Sequence, residues 1–401
     1  MQRDMMQEPV NVFQMSGLTI DAVRKPDGKI ELKGKGLFKF AADPFLSVAN
    51  KHLAAEKPAK VTADAVYPSA WLPPIPSPAF RRLVNAEIGT SYGKFVPETV
   101  SIEVTRKHNA NAEKYSKSAN VKDSDIGNIS DPSASQIKNA IDQAISSGAV
   151  VITFTEGDPM LNENIVEYVR YVDKEKAVVM AYTWGLDFTP EKAKQLKDAG
   201  LQTLLVSIYS TDPAVHDAKR GIPGAYEKAM NAIQIGLDAG LLVTMATHLD
   251  EKRMDEMEKL WNLAEKSGVH EFSIWESAPT LEGERIMNDA DRKKINDLYK
   301  KVNASPDDGP RVFSNTIFEG EMFGSMAGRR WLHITTDGEV WPDPYIPLSY
   351  GNVNGEPLEK IWKRMRKEPE LREKRNSHVL YNPIYLQKVR DANHWDFRNQ
   401  K

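Results

Sequence analysis

Between residues 99 and 280, short β-branched strands alternate with amphipathic helical stretches six times over, and this rhythm restricts the chain more than any other feature. VSIEV (100–104) leads into a loop. SASQIKNAIDQAISSGA (133–149) carries apolar residues at helical spacing behind a serine cap, and VVITFT (150–155) follows as a buried strand. NENIVEYVRYVDK (162–174), AVVMAYTWG (177–185), TPEKAKQLKDAG (189–200), TLLVSIYS (203–210) and GAYEKAMNAIQIGLDAG (224–240) continue the alternation. LLVTMATHL (241–249), KRMDEMEKLWNLAEKSG (252–268) and EFSIWESAP (271–279) complete it. The helix at 189–200 has a threonine cap, a proline in its first turn and a glycine stop. Strands and helices in strict alternation predict a parallel sheet with right-handed crossovers. In such sheets ligands sit at the C-terminal ends of the strands, within the loops that lead to the helices.

The flanks follow other patterns. Residues 1–98 read as an accessory region. Its YPSAWLPPIPSPAF segment (67–80) favours extended polyproline geometry, with Trp71, Leu72 and Ile75 laid on a surface as a strap. Residues 99–310 form the main domain. Residues 311–401 read as a small appended domain, in which WLHITTDGEVWPDPYIP (331–347) is a hairpin turning at Thr336 to Gly338 and a basic amphipathic helix follows.

Composition excludes several chemistries. A net charge of −3 gives no reason to expect a nucleic-acid or anionic-membrane surface. No apolar run approaches a membrane span and the start lacks a leader pattern, so the cytoplasm is the expected location. Cysteine is absent from all 401 residues, which removes disulfides, thiolate nucleophiles and thiolate ligands together. With eight scattered histidines and no HExxH, a conventional zinc site is not expected either.

The order of motifs resembles the radical S-adenosylmethionine superfamily, in particular members with a C-terminal auxiliary domain of the SPASM or twitch kind. The resemblance covers roughly residues 99–375. It implies a partial (β/α)6 TIM-like barrel, with a SPASM/twitch-like domain after residue 311. In that family the first strand-to-helix loop carries three cysteines that hold a [4Fe–4S] cluster. Here His108, Ala112 and Tyr115 stand at those places. The second strand ends in Glu156, Gly157, Asp158 and Pro159, where the family has GGEP or GGDP. The third ends in Thr183, Trp184 and Gly185 before FTPE. The fourth leads through Ser207, Ser210, His216, Arg220, Gly221 and Gly224. Ser325 and Asp343 occupy positions where the auxiliary domain would have cysteines.

These departures set the chemical expectations. His108 could ligate iron, Tyr115 rarely does and Ala112 cannot, so no [4Fe–4S] cluster and no metal are expected. Glu156 in place of glycine puts a carboxylate where the methionine carboxylate would lie. Two like charges at ~4 Å cost on the order of 4 kcal/mol at an effective dielectric of 20, so S-adenosylmethionine binding is expected to be weak or absent. Gly157, Asp158, Pro159, Thr183, Ser207 and Arg220 would then be a vestigial cofactor site. His108, Tyr115 and Glu156 are the candidates for new chemistry, while Asp158 also suits the cap of the following helix. Tyr115 and Glu156 add volume where cluster and methionine would be, which suggests a site plugged by its own side chains. Two functions follow: a non-catalytic partner of an active enzyme or of its protein or peptide substrate, and a repurposed, cluster-independent enzyme in the old cavity.

Overall fold

The computed structural model describes residues 8–107, 131–277, 287–307 and 309–392. At the N-terminus, β1 (Val10–Met15), β2 (Leu18–Arg24) and β3 (Ile30–Lys35) form an antiparallel sheet. Helix α1 (Asp43–Leu53) docks on β3, where the Asn50 amide bonds both the N–H and the C=O of Leu32 at 2.8 Å. The short pair β4 (Lys60–Val61) and β5 (Val66–Tyr67) follows, then α2 (Pro78–Ser91), capped by the Ser77 hydroxyl.

The main sheet is built from β6 (Thr99–Glu103), β7 (Val151–Thr155), β8 (Val178–Thr183), β9 (Thr203–Ser207), β10 (Leu242–Leu249), β11 (Glu271–Glu276) and β12 (Arg311–Ser314). These lie side by side in that order, all parallel. Helices α3 (Ala134–Ser147), α4 (Ile165–Tyr171), α5 (Pro190–Asp198), α6 (Pro213–Arg220), α7 (Ala225–Asp238), α8 (Met257–Lys266) and α9 (Asp289–Ala304) make the crossovers. Local chemistry sets their ends. Ser133 and Gln136 form a reciprocal capping box on α3, and Thr189 caps α5 with Pro190 at its first turn. The expected partial (β/α)6 barrel is thus present, lengthened by β12 at one edge.

At the other edge, β13 (Trp331–Ile334) runs parallel to β6, and β14 (Val340–Trp341) folds back on it with His333 opposite Trp341. The hairpin therefore extends the same sheet.

Side chains alternate across this sheet. Val100, Ile102, Ile152, Phe154, Val179, Leu204, Val243 and Phe272 face the helices in one large core. Val151, Met180, Leu205, Leu242, Trp275 and Phe313 face the opposite way and pack on the N-terminal region. Trp71 fills that concave face. Its ring centroid lies 5.1 Å from Trp275 and stacks at 5.5 Å on Phe313. The strand beginnings hold the segment in place. The Thr203 hydroxyl donates to the Ala70 carbonyl, and Glu271 accepts from the Ser69 hydroxyl and the Ala70 N–H. Among the described residues no helix is long and apolar enough to cross a membrane.

Candidate functional site

The tips of β6, β7 and β8 are knotted together. Beyond Thr155 the chain turns through Glu156 (φ 62°) and Gly157 (φ 55°). A Cβ on Gly157 would stand 2.7 Å from the Lys107 carbonyl oxygen and 2.8 Å from that of Thr105, so only glycine fits. Asp158 is fully buried. One carboxylate oxygen accepts the Met160 N–H at 3.0 Å and caps the turn Pro159–Leu161; the other accepts the Thr183 hydroxyl at 3.0 Å and the Trp184 N–H at 2.9 Å. Burial pushes this carboxyl above its ordinary value, against the pull of those donors. Pro159 is buried in the same turn.

Next to the knot lies a cationic, aromatic wall. The Arg220 guanidinium sits 4.3 Å over the Trp184 ring and donates to the Ser207 carbonyl at 3.4 Å. Burial lowers it to about 10, with the Asp158 charge pulling the other way. Arg253 stacks 3.5 Å from the Tyr209 ring and donates to the carbonyls of Tyr209 and His248. Burial, and then the charge of Arg220, holds His216 at about 4; its Nδ1 accepts the Tyr209 N–H.

Residues invisible to the sequence reading complete the rim. His248 ends the inward row of β10 and is exposed, with ring contacts to Trp275 (6.4 Å) and Tyr345 (6.0 Å). The protein crowding around it, then the charges of Arg220, Arg253 and Lys219, hold it at about 4, so it is a neutral base at pH 7. Burial and then the Glu156 carboxylate raise the Tyr182 hydroxyl; burial, Tyr182, Asp343 and Glu156 do the same for Tyr345. Tyr345 meets His378 edge-on at 6.1 Å, and His378 bonds Asp343 at 2.6 Å. Glu319 lies near both, and burial pushes its carboxyl up to about 7. At the β6–β13 seam, His333 bridges Glu103 (3.1 Å) and the Ser101 hydroxyl (2.9 Å) in a fully buried network.

The structure thus gathers Glu156, Gly157, Asp158, Pro159, Thr183, Ser207 and Arg220 around the strand ends. His108, Ala112 and Tyr115 lie outside the described residues. Ser325 is buried with its N–H on the Arg375 carbonyl, and Asp343 is engaged by His378. Inward alternation along Thr244, Ala246 and His248 could have flagged His248; Tyr345 and His378 arrive from distant segments with no local signal.

A thiolate-held cluster finds no thiolate in this chain, and the described residues contain no group of three or more His, Cys, Asp or Glu arranged to hold a metal. S-adenosylmethionine is a different case. It carries an ammonium and a sulfonium, and Glu156 offers a carboxylate whose charge acts on the Tyr182 and Tyr345 hydroxyls.

Residues 114–264 match the profile of the Radical SAM superfamily. The AdoMet-dependent heme synthase of Nitratidesulfovibrio vulgaris is 29% identical over 259 residues, spanning 58% of this chain and 70% of that one. The enzyme of the same name from Methanosarcina barkeri is 26% identical over 263 residues, spanning 59% and 75%. Among solved structures, Streptococcus suis SuiB bound to precursor peptide SuiA superposes with a TM-score of 0.55 at 11% identity, covering 71% of this chain and 69% of that one. Native anSMEcpe with bound AdoMet gives 0.52 at 15%, covering 69% and 82%. These structural likenesses show the fold. The similarity to AdoMet-dependent relatives overturns the expectation of a chain without cofactor. That expectation counted only repulsion between Glu156 and the methionine carboxylate. The same ligand carries two positive centres that a carboxylate attracts.

Proposed function

We propose, for a chain whose residues 114–264 match the profile of the Radical SAM superfamily, that the C-terminal ends of its strands bind S-adenosylmethionine and that it serves as a binding or regulatory partner of an active enzyme, or of that enzyme's protein or peptide substrate. The observation that carries this reading is the backbone of Glu156. It is the one non-glycine among the described residues in the left-handed region, at φ 62°. Such a conformation costs roughly 1–2 kcal/mol and persists where the surroundings or a function demand it. The Glu156 charge acts on the Tyr182 and Tyr345 hydroxyls. Glu156 would take the ammonium or sulfonium, and Ser207, at the end of β9, would reach a sugar hydroxyl. Gly157, Asp158, Pro159 and Thr183 would shape the floor, and Arg220 would hold Trp184 and the Ser207 carbonyl in place.

The test has two readouts. Titration with S-adenosylmethionine is expected to give micromolar affinity, weakened about tenfold, or 1.4 kcal/mol, in Glu156→Gln. Incubation with the cofactor and a strong reductant is expected to yield no 5′-deoxyadenosine; its production at enzyme-like rates would end the partner reading.

A second reading, cluster-independent catalysis, is favoured by His248, an exposed neutral base at a strand end. Loss of a measured turnover in folded His248→Gln would select it.

A further inference from the structure

Beneath the sheet, at the strand beginnings and away from Glu156 and His248, a cavity of about 300 Å³ opens between α1, α2 and β12. That volume lies at the lower end of small-molecule sites, roughly 300–1,000 Å³. Its walls are mainly apolar, with Phe45, Leu53, Phe80, Leu83 and Phe318 contributing.

The charges on its walls are unevenly matched. Arg311, which opens β12, pairs with Glu56 at 3.0 Å and with Glu271 at 3.4 Å. Arg330, ahead of β13, pairs with Glu87 and Glu98. Arg329 and Lys374 line the same cavity, and among the described residues neither forms an ion pair. Arg329 is only 5% exposed. It donates to the Phe323 carbonyl and lies 4.7 Å from the Phe95 ring, and its Nε has no hydrogen-bond partner. Across the cavity, His52 bonds Glu56 through Nδ1 at 2.7 Å, which leaves its buried Nε2 unused. A buried guanidinium nitrogen and a buried imidazole nitrogen without partners are each costly beside a void, and a ligand carboxylate at Arg329 removes the first of these costs.

We propose that this cavity is a binding site for an amphipathic carboxylate. Its apolar body lies among the phenylalanine and leucine side chains, and its carboxylate faces Arg329 and Lys374. Val48, 39% exposed on α1, stands on the wall. An apolar cavity without a matching charge favours the neutral analogue, because an unpaired carboxylate is costly to desolvate; this one favours the anion.

The test is calorimetry of the full chain with decanoate and with 1-decanol, both below their aggregation limits. Decanoate is expected to bind at one site, about tenfold or more tighter than the alcohol. Lys374→Gln, at an exposed position, is expected to weaken decanoate several-fold and leave decanol unchanged. Arg329→Gln should have a larger effect of the same kind, and Val48→Trp should reduce both ligands by filling space. Equal affinity for acid and alcohol, no decanoate binding, or decanoate affinity unmoved by both Lys374→Gln and Val48→Trp would each overturn the assignment.

Discussion

The Thr183 hydroxyl donates to the buried carboxylate of Asp158 at 3.0 Å, tying the tip of β8 to the loop that leaves β7. The Trp184 N–H shares the same oxygen. Removing the carboxylate strands several buried donors at once. Asp158→Ala is therefore expected to cost about 2–4 kcal/mol in urea unfolding, with Asp158→Asn losing less. A loss below about 1 kcal/mol would mean the knot is not structural.

Trp71 is expected to be among the most sensitive residues of the N-terminal region. It stacks on Phe313 and meets Trp275 inside the concave face of the sheet. Trp71→Ala should destabilise the whole chain by about 3–5 kcal/mol, seen as a single cooperative shift of the unfolding midpoint. Independent melting of residues 8–91 with the barrel unaffected would contradict this packing.

How much of this was legible beforehand depends on the range of the interaction. Capping at Ser133 and Thr189, and the strand–helix period from β6 to β11, are local and could be read directly. The proline-rich reading lays Trp71 on a surface but does not say that it enters the barrel's concave face. The pairing of β13 with β6 brings residues over 200 positions apart into register, and with it the Glu103–His333 contact; nothing in WLHI announces that partner. Charge repulsion at Glu156 is legible in the sequence, but repulsion alone leaves out the ligand's two positive centres.

The buried cluster at the C-terminal segment gives a pH signature. Burial raises the Glu319 carboxyl from 4.5 to about 7, and the neighbouring Asp343 and Glu319 charges raise His378 against its own desolvation. Across that window the folded chain keeps a proton on Glu319 that the unfolded chain has released, so stability falls as pH rises from 4.5 to about 7. For His378 the stabilisation is full below its unfolded pKa and is lost as pH rises through the higher folded value. Both act in the same direction. Replacing Glu319 by Gln should flatten the slope of unfolding free energy between pH 5 and 7, a difference of up to about 3 kcal/mol from the native chain. Parallel profiles for the two proteins would place the titration elsewhere.

Relief of backbone strain should separate stability from binding at one position. Glu156→Gly removes a left-handed non-glycine residue and is expected to gain about 1 kcal/mol in unfolding free energy. The same change is expected to weaken S-adenosylmethionine binding, because the carboxylate goes with the side chain. A variant that gained stability with no loss of affinity would remove Glu156 from the site.

The most direct measurement is a calorimetric titration of S-adenosylmethionine into the native protein, with S-adenosylhomocysteine in parallel to isolate the sulfonium charge. The account predicts a dissociation constant in the micromolar range, near −8 kcal/mol, with weaker binding of the uncharged thioether. No heat of binding up to about millimolar ligand, near −4 kcal/mol, would contradict it.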